Sequence, residues 1–206
     1  MNRKEGLKMA TRTTPGPGDY NLSDPINSFV DVVRWVVLQT VGFFARLPRS
    51  GNFVNPLVFA LICFEISAIL GGLLGLVGVG ADVRRGLGSF IASIILTPIG
   101  GAIGLFIVAG ILHLLVRLVV GAGNSGFEAT FRVASYTAVV NLVSWIPLIG
   151  WLLGLYGVYL SVVGIREMHE TTTGKAALIV LIPAGVIVLL VLVGLLAAGA
   201  VFLSRL

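Results

Sequence analysis

Residues 176–203 read AALIVLIPAGVIVLLVLVGLLAAGAVFL, 28 residues without one charged side chain. An apolar run of about 18 residues or more is long enough to cross the hydrocarbon core of a bilayer as a helix. Working back toward the N-terminus, the same kind of block recurs. Asn55-Pro56 opens one that runs to about residue 80, with proline well placed at a helix start, where its missing N–H costs nothing. A second covers about 89–120, a third about 129–146 and a fourth about 151–165. With 176–203 as the fifth, the chain reads as an all-α, polytopic transmembrane helical bundle of about five spans.

The bulk composition supports this. Apolar residues make up 57% and charged residues 11% of 206, whereas a soluble domain carries about 25% charged residues. The net charge of +5 does not argue for nucleic acid, because the basic residues flank apolar blocks, where they meet anionic headgroups and set insertion orientation. The lone cysteine, Cys63, has no intramolecular disulfide partner and reads as a small packing residue. No cleaved signal peptide is read at the N-terminus.

Three regions follow. Residues 1–26, rich in Pro and Gly, read as a flexible cytoplasmic tail. Residues 27–47 read as an amphipathic interfacial helix, with Asn27, Asp31, Arg34, Gly42, Arg46 and Arg49 near one face and Leu38 the exception. A sixth span here would bury three charges. Residues 48–206 form the five-span membrane domain. Asp82, Arg84 and Arg85 mark the turn after the first span. The second span is about ten residues longer than a straight crossing needs, and Pro98, Gly100 and Gly101 suggest a kink or helix break there. Pro147 and Gly150 form a tight hairpin between the third and fourth spans. With the N-terminus inside, eleven Lys and Arg residues fall on inner segments and three (Arg84, Arg85, Arg205) on outer ones. This positive-inside bias predicts a cytoplasmic N-terminus and an outer C-terminus.

Few residues could carry chemistry. Glu65 lies about 15 Å into the first span at 1.5 Å per residue, near the midplane, where an ionised carboxylate must be paired or protonated. His113 and Arg117 share one face of the second span. Arg132 and Tyr136 share a face of the third, with Asn141 deeper. Glu65, His113, Arg117, Arg132, Tyr136 and Asn141 are thus expected to form an intramembrane polar cluster, with snorkelling to the headgroups the competing role for the two arginines. His169 reads as lying in a distant loop, so no metal site is expected. Gly121 to Gly126 matches G-x-G-x-x-G but follows a membrane helix rather than a strand, so no dinucleotide site is read. Arg166 to Glu170 lacks H-E-x-x-H spacing and reads as a solvated cap or a docking surface for a cytosolic partner. Small-residue pairs (Gly71 and Gly75, Gly100 and Gly104, Gly150 and Gly154, Gly157 and Ser161) suit close helix packing.

Thr97-Pro98 through Arg117, then Gly126-Phe127-Glu128-Ala129-Thr130-Phe131-Arg132-Val133-Ala134-Ser135-Tyr136, then Trp145-Ile146-Pro147, resemble the Yip-domain family. That family comprises five-span proteins named for interaction with Ypt/Rab GTPases. Gly154 to Leu160, Gly164 to His169 and Gly174-Lys175-Ala176 are similar to its prokaryotic-type members. The resemblance covers about residues 40–203. It implies a membrane fold and a prokaryotic cytoplasmic-membrane location. The long cytosolic acidic and aromatic region of the eukaryotic relatives, associated with Rab binding, is here a short tail in which Gly18-Asp19-Tyr20 is a faint echo.

The expectation is therefore a non-enzymatic membrane protein, without cofactor, that organises membrane lipids or a protein partner at its cytoplasmic loops. The alternative is a small transporter or channel subunit using Glu65, beside an interrupted second span.

Overall fold

The computed structural model describes residues 18–78, 86–146 and 149–204. These form helices, with no strand among the described residues. In chain order they are α1 (Pro25–Leu38), α2 (Thr40–Arg46), α3 (Val54–Leu76), α4 (Leu87–Val119), α5 (Phe127–Thr137), α6 (Asn141–Ser144), α7 (Ile149–Met168) and α8 (Thr173–Leu203). Short 3-10 turns at Gly121–Gly123 and Ala138–Val140 precede α5 and α6. Asp82, Arg84, Arg85, Pro147 and Arg205, to which the sequence assigned turn or flank roles, lie outside the described residues.

Among the described residues three helices are long and apolar enough to cross a membrane: Val54–Leu76, Leu87–Val119 and Thr173–Gly199. They become four if α1 and α2, bent by 120° at Gln39, are one broken span. The expected single helix over 27–47 is thus two helices. At the break Gln39 leaves helical geometry, and Thr40 donates its hydroxyl to Val36 O at 2.7 Å, satisfying that carbonyl at the helix end.

α5 is the centre of the molecule. Every residue from Ala129 to Tyr136 is buried, and α3, α4 and α7 all pack on it. Its sequence, FEATFRVASYT, would be odd for the core of a soluble protein. In an apolar solvent the logic inverts: lipid covers plain hydrocarbon at no cost, and polar groups are drawn inside to find partners. The expected third span is therefore a segmented element, α5 followed by a 3-10 turn and α6. It runs along α3 in register. Phe127 and Phe131 stand tilted and edge-on against Phe53, Tyr136 meets Phe59, and Ser144 hydrogen-bonds Ser67 at 3.1 Å.

α4 continues past Pro98, Gly100 and Gly101, where the sequence suggested a break. Gly101 has a packing role instead: a Cβ there would stand 2.7 Å from the Phe64 ring. A similar approach brings Gly164 of α7 against Val133 of α5, with a Cβ-to-Cγ1 distance of 2.6 Å. At Gly150, a Cβ would meet the Ser144 carbonyl oxygen at 2.4 Å, so the α6–α7 hairpin closes only on glycine. By contrast Gly100, Gly104 and Gly154 have open space around them, and Gly71 and Gly157 have only ordinary contacts, so of the expected four-residue pairs Gly150 is the member that meets a close approach.

Candidate functional site: two polar anchors on a buried helix

The first anchor is built on Arg132, which is 1% exposed. Its Nη2 donates to Asp19 Oδ2 at 2.8 Å and to the Asn52 carbonyl at 3.1 Å. The Tyr136 hydroxyl, one turn further along α5, donates to Asp19 Oδ1. The Tyr20 backbone N–H in turn donates to that hydroxyl oxygen at 2.8 Å. The Tyr20 side chain is itself 1% exposed and stands against Phe59. The sequence suggested a flexible tail as far as residue 26. Instead Asp19 and Tyr20 reach into the bundle while Gly18 and residues 21–24 stay exposed, because a buried guanidinium needs a carboxylate and Asp19 carries one. Arg132 Nε and Nη1 have no hydrogen-bond partner among the described residues.

The second anchor is a chain of hydrogen bonds through both histidines. Ser125 N–H donates to His169 Nδ1 at 3.1 Å. His169 Nε2 lies 3.0 Å from Thr130 Oγ1, and Thr130 Oγ1 lies 3.0 Å from His113 Nδ1. A backbone N–H can only donate, so Nδ1 of neutral His169 accepts and its Nε2–H donates to Thr130. Between Thr130 Oγ1 and His113 Nδ1 the direction of the bond follows the tautomer of His113. Burial, then His113 and Arg49, pushes His169 down to about 4 from the usual 6.5, so it is neutral at physiological pH. This reverses the sequence reading of His169 as remote: α7 runs on to Met168 and delivers the ring, 1% exposed, to α5. Gly126, at φ +88°, makes the turn that brings Ser125 into place, a conformation open to glycine.

The six residues expected to form one cluster are not joined by hydrogen bonds into one. Arg132 and Tyr136 belong to the first anchor and His113 to the second. Arg117 is exposed, in the position a snorkelling arginine takes. Asn141 donates to the Ala138 carbonyl in its own turn and lines a lateral crevice with Ser67, Ser93 and Thr97. Glu65 is half-buried, and both its carboxylate oxygens are covered without a hydrogen-bond partner among the described residues. Asp19, Thr130, His169 and the Asn52 carbonyl were missed by the sequence reading. The Gly18-Asp19-Tyr20 echo was the one signal for the first.

The loop between α2 and α3 closes the end of the bundle. Arg49 pairs with Glu170, and Gly51 N–H donates to Glu128 Oε2 at 2.6 Å. Arg166 pairs with its neighbour Glu167 at 2.6 Å. Chemically these sites hold chain segments together. Two imidazoles around one hydroxyl do not make a full metal ligand set, and no cluster of three His, Cys, Asp or Glu side chains occurs among the described residues.

In comparison with known proteins, the family described as Yip1 domain matches residues 35–196. No curated protein and no solved structure matches the chain.

Proposed function

We propose, because this chain belongs to the Yip1 domain family, that it is a non-enzymatic integral membrane protein that organises lipid or protein partners at the membrane surface. The observation that carries this reading is where the polar groups go. Arg132, Tyr136, His113 and His169 are spent on tying the N-terminal segment, α4 and α7 to α5. The charged residues left exposed, among them Arg34, Arg46, Arg117 and Lys175, sit on surfaces that headgroups or a partner can reach.

In the same reading the chain crosses five times, through α3, α4, the segmented α5–α6, α7 and α8, with α1 as an interfacial helix. The matched register of α5–α6 and α3 supports the third crossing. The 20 residues of α7 give about 30 Å of helix, which supports the fourth. The Lys and Arg distribution supports a cytoplasmic N-terminus in a prokaryotic-type member.

The test is native mass spectrometry of the full chain released gently from its own membrane. A defined protein partner, or lipid retained in fixed stoichiometry, is the expected result. A bare monomer with no retained lipid or protein would sink the organising role.

A further inference from the structure

α1 has three faces. Phe29, Val32 and Val36 turn inward. Ile26, Val30 and Val37 form an exposed apolar stripe. Asn27, Asp31 and Arg34 are exposed on the third face. A helix built this way seats at an interface, with its stripe in the acyl chains and its charges among headgroups.

Its height can be read from what it touches. Near its start, the Phe29 ring packs against Phe59 with centroids 5.2 Å apart, five residues after α3 begins at Val54. Just before it, Tyr20 bonds Tyr136, nine residues after α5 begins at Phe127. Near its end, the Tyr156 hydroxyl donates to Val37 O at 2.8 Å, twelve residues before α7 ends at Met168. At 1.5 Å per residue these contacts lie about 8, 14 and 18 Å from the ends of α3, α5 and α7 that gather around the loop carrying Arg49, so α1 sits about one leaflet deep and slopes deeper toward its C-terminal end. One leaflet of hydrocarbon is about 15 Å thick.

On the flank of α4 and α8, which pack on each other, the apolar surface goes much lower. Leu114 and Leu118 are 59% and 72% exposed, and Leu118 is one residue from the end of α4. Leu178 of α8 is half exposed close to that helix's start. A flat leaflet cannot satisfy both flanks. If it covers Leu118, it drowns Asp31 and Arg34, whose charges are costly in hydrocarbon. Arginine can snorkel part of that distance, but the aspartate stem is too short.

We propose that the chain thins the adjoining leaflet beside α1, so that phospholipid headgroups descend to Asp31 and Arg34 while the leaflet keeps its full depth at α4 and α8. This deepens the organising role by naming its partner as a lipid surface, and it rests on that reading. The two can fail separately: a protein partner found by mass spectrometry says nothing about headgroup depth beside α1.

The experiment uses the full chain in vesicles of phosphatidylcholine and phosphatidylglycerol, with a fluorophore on Arg34→Cys or on Leu118→Cys. Asp31→Cys and Leu114→Cys serve as a second pair. Cys63 is fully buried, and the unsubstituted chain sets background labelling. Nitroxides on the lipid headgroup or at mid-chain then report depth. Headgroup nitroxides quenching more than mid-chain ones at both residue 34 and residue 118 is the expected result. Stronger mid-chain quenching at residue 34 overturns the proposal, because α1 is then submerged in a level leaflet. A spin-label distance between residues 34 and 118 longer than in the structure also overturns it, since α1 has then swung out to reach the headgroups.

Discussion

Asp19 and Arg132, 113 positions apart, form a 2.8 Å ion pair inside the helical bundle. The guanidinium is almost wholly enclosed and the carboxylate nearly so, with side-chain exposures of 1% and 16%. The pair turns the N-terminal segment into part of the core and fixes where α1 begins.

Removing one partner leaves a buried charge. Asp19→Leu or Arg132→Leu alone is expected to destabilise the bundle by about 3 kcal/mol. The double substitution should recover most of that loss, since a buried pair replaced by apolar groups is often near neutral. Denaturant unfolding in mild detergent measures it. A double variant no better than the worse single one would show that the pair is not the relevant contact.

Tyr136→Phe removes the hydroxyl that donates to Asp19 and accepts from the Tyr20 N–H. The expected cost is about 1–2 kcal/mol, with faster backbone exchange confined to residues near Tyr20. Loosening spread evenly through α5 would instead mean the hydroxyl serves the helix as a whole.

His169 supplies a pH dependence. Its folded pKa, about 4, lies below the unfolded value of 6.5, so between those values the unfolded chain binds more protons. Stability is therefore full above about pH 6.5 and declines as pH falls toward 4, where protonated Nδ1 would face the Ser125 N–H. Thermal unfolding of the wild type should show this decline, and His169→Gln should flatten it. An equal slope in both would assign the titration elsewhere.

Gly164→Ala places a Cβ 2.6 Å from Val133 Cγ1 and 3.2 Å from Phe44 Cε1. A loss of about 1–3 kcal/mol is expected from overpacking. Gly154→Ala, on the same helix with open space around it, should be neutral or slightly stabilising. Parallel melting curves of the two variants distinguish a packing glycine from a merely flexible one.

The long apolar helices were legible because α3, α4 and α8 are continuous runs that need no partner to be recognised. The family resemblance was legible from the order of short motifs around Phe127 to Tyr136. The anchors were not. Arg132 and His113 were visible as polar residues in apolar runs, but their partners Asp19 and His169 sit outside those runs, and no local periodicity connects them. Glu65 drew attention by depth alone, and depth does not specify a partner. The bend at Gln39 was hidden because no proline or glycine marks it, and the glycines that pack closely depend on which neighbour arrives, as Phe64 does at Gly101.

The most direct test of the central claim, that the N-terminal segment is tied into α5, is hydrogen exchange of the Tyr20 backbone amide in the full chain in lipid nanodiscs. Slow exchange in the wild type, lost in Tyr136→Phe, is the predicted result. Exchange at Tyr20 as fast as in an unstructured peptide would contradict the anchored arrangement.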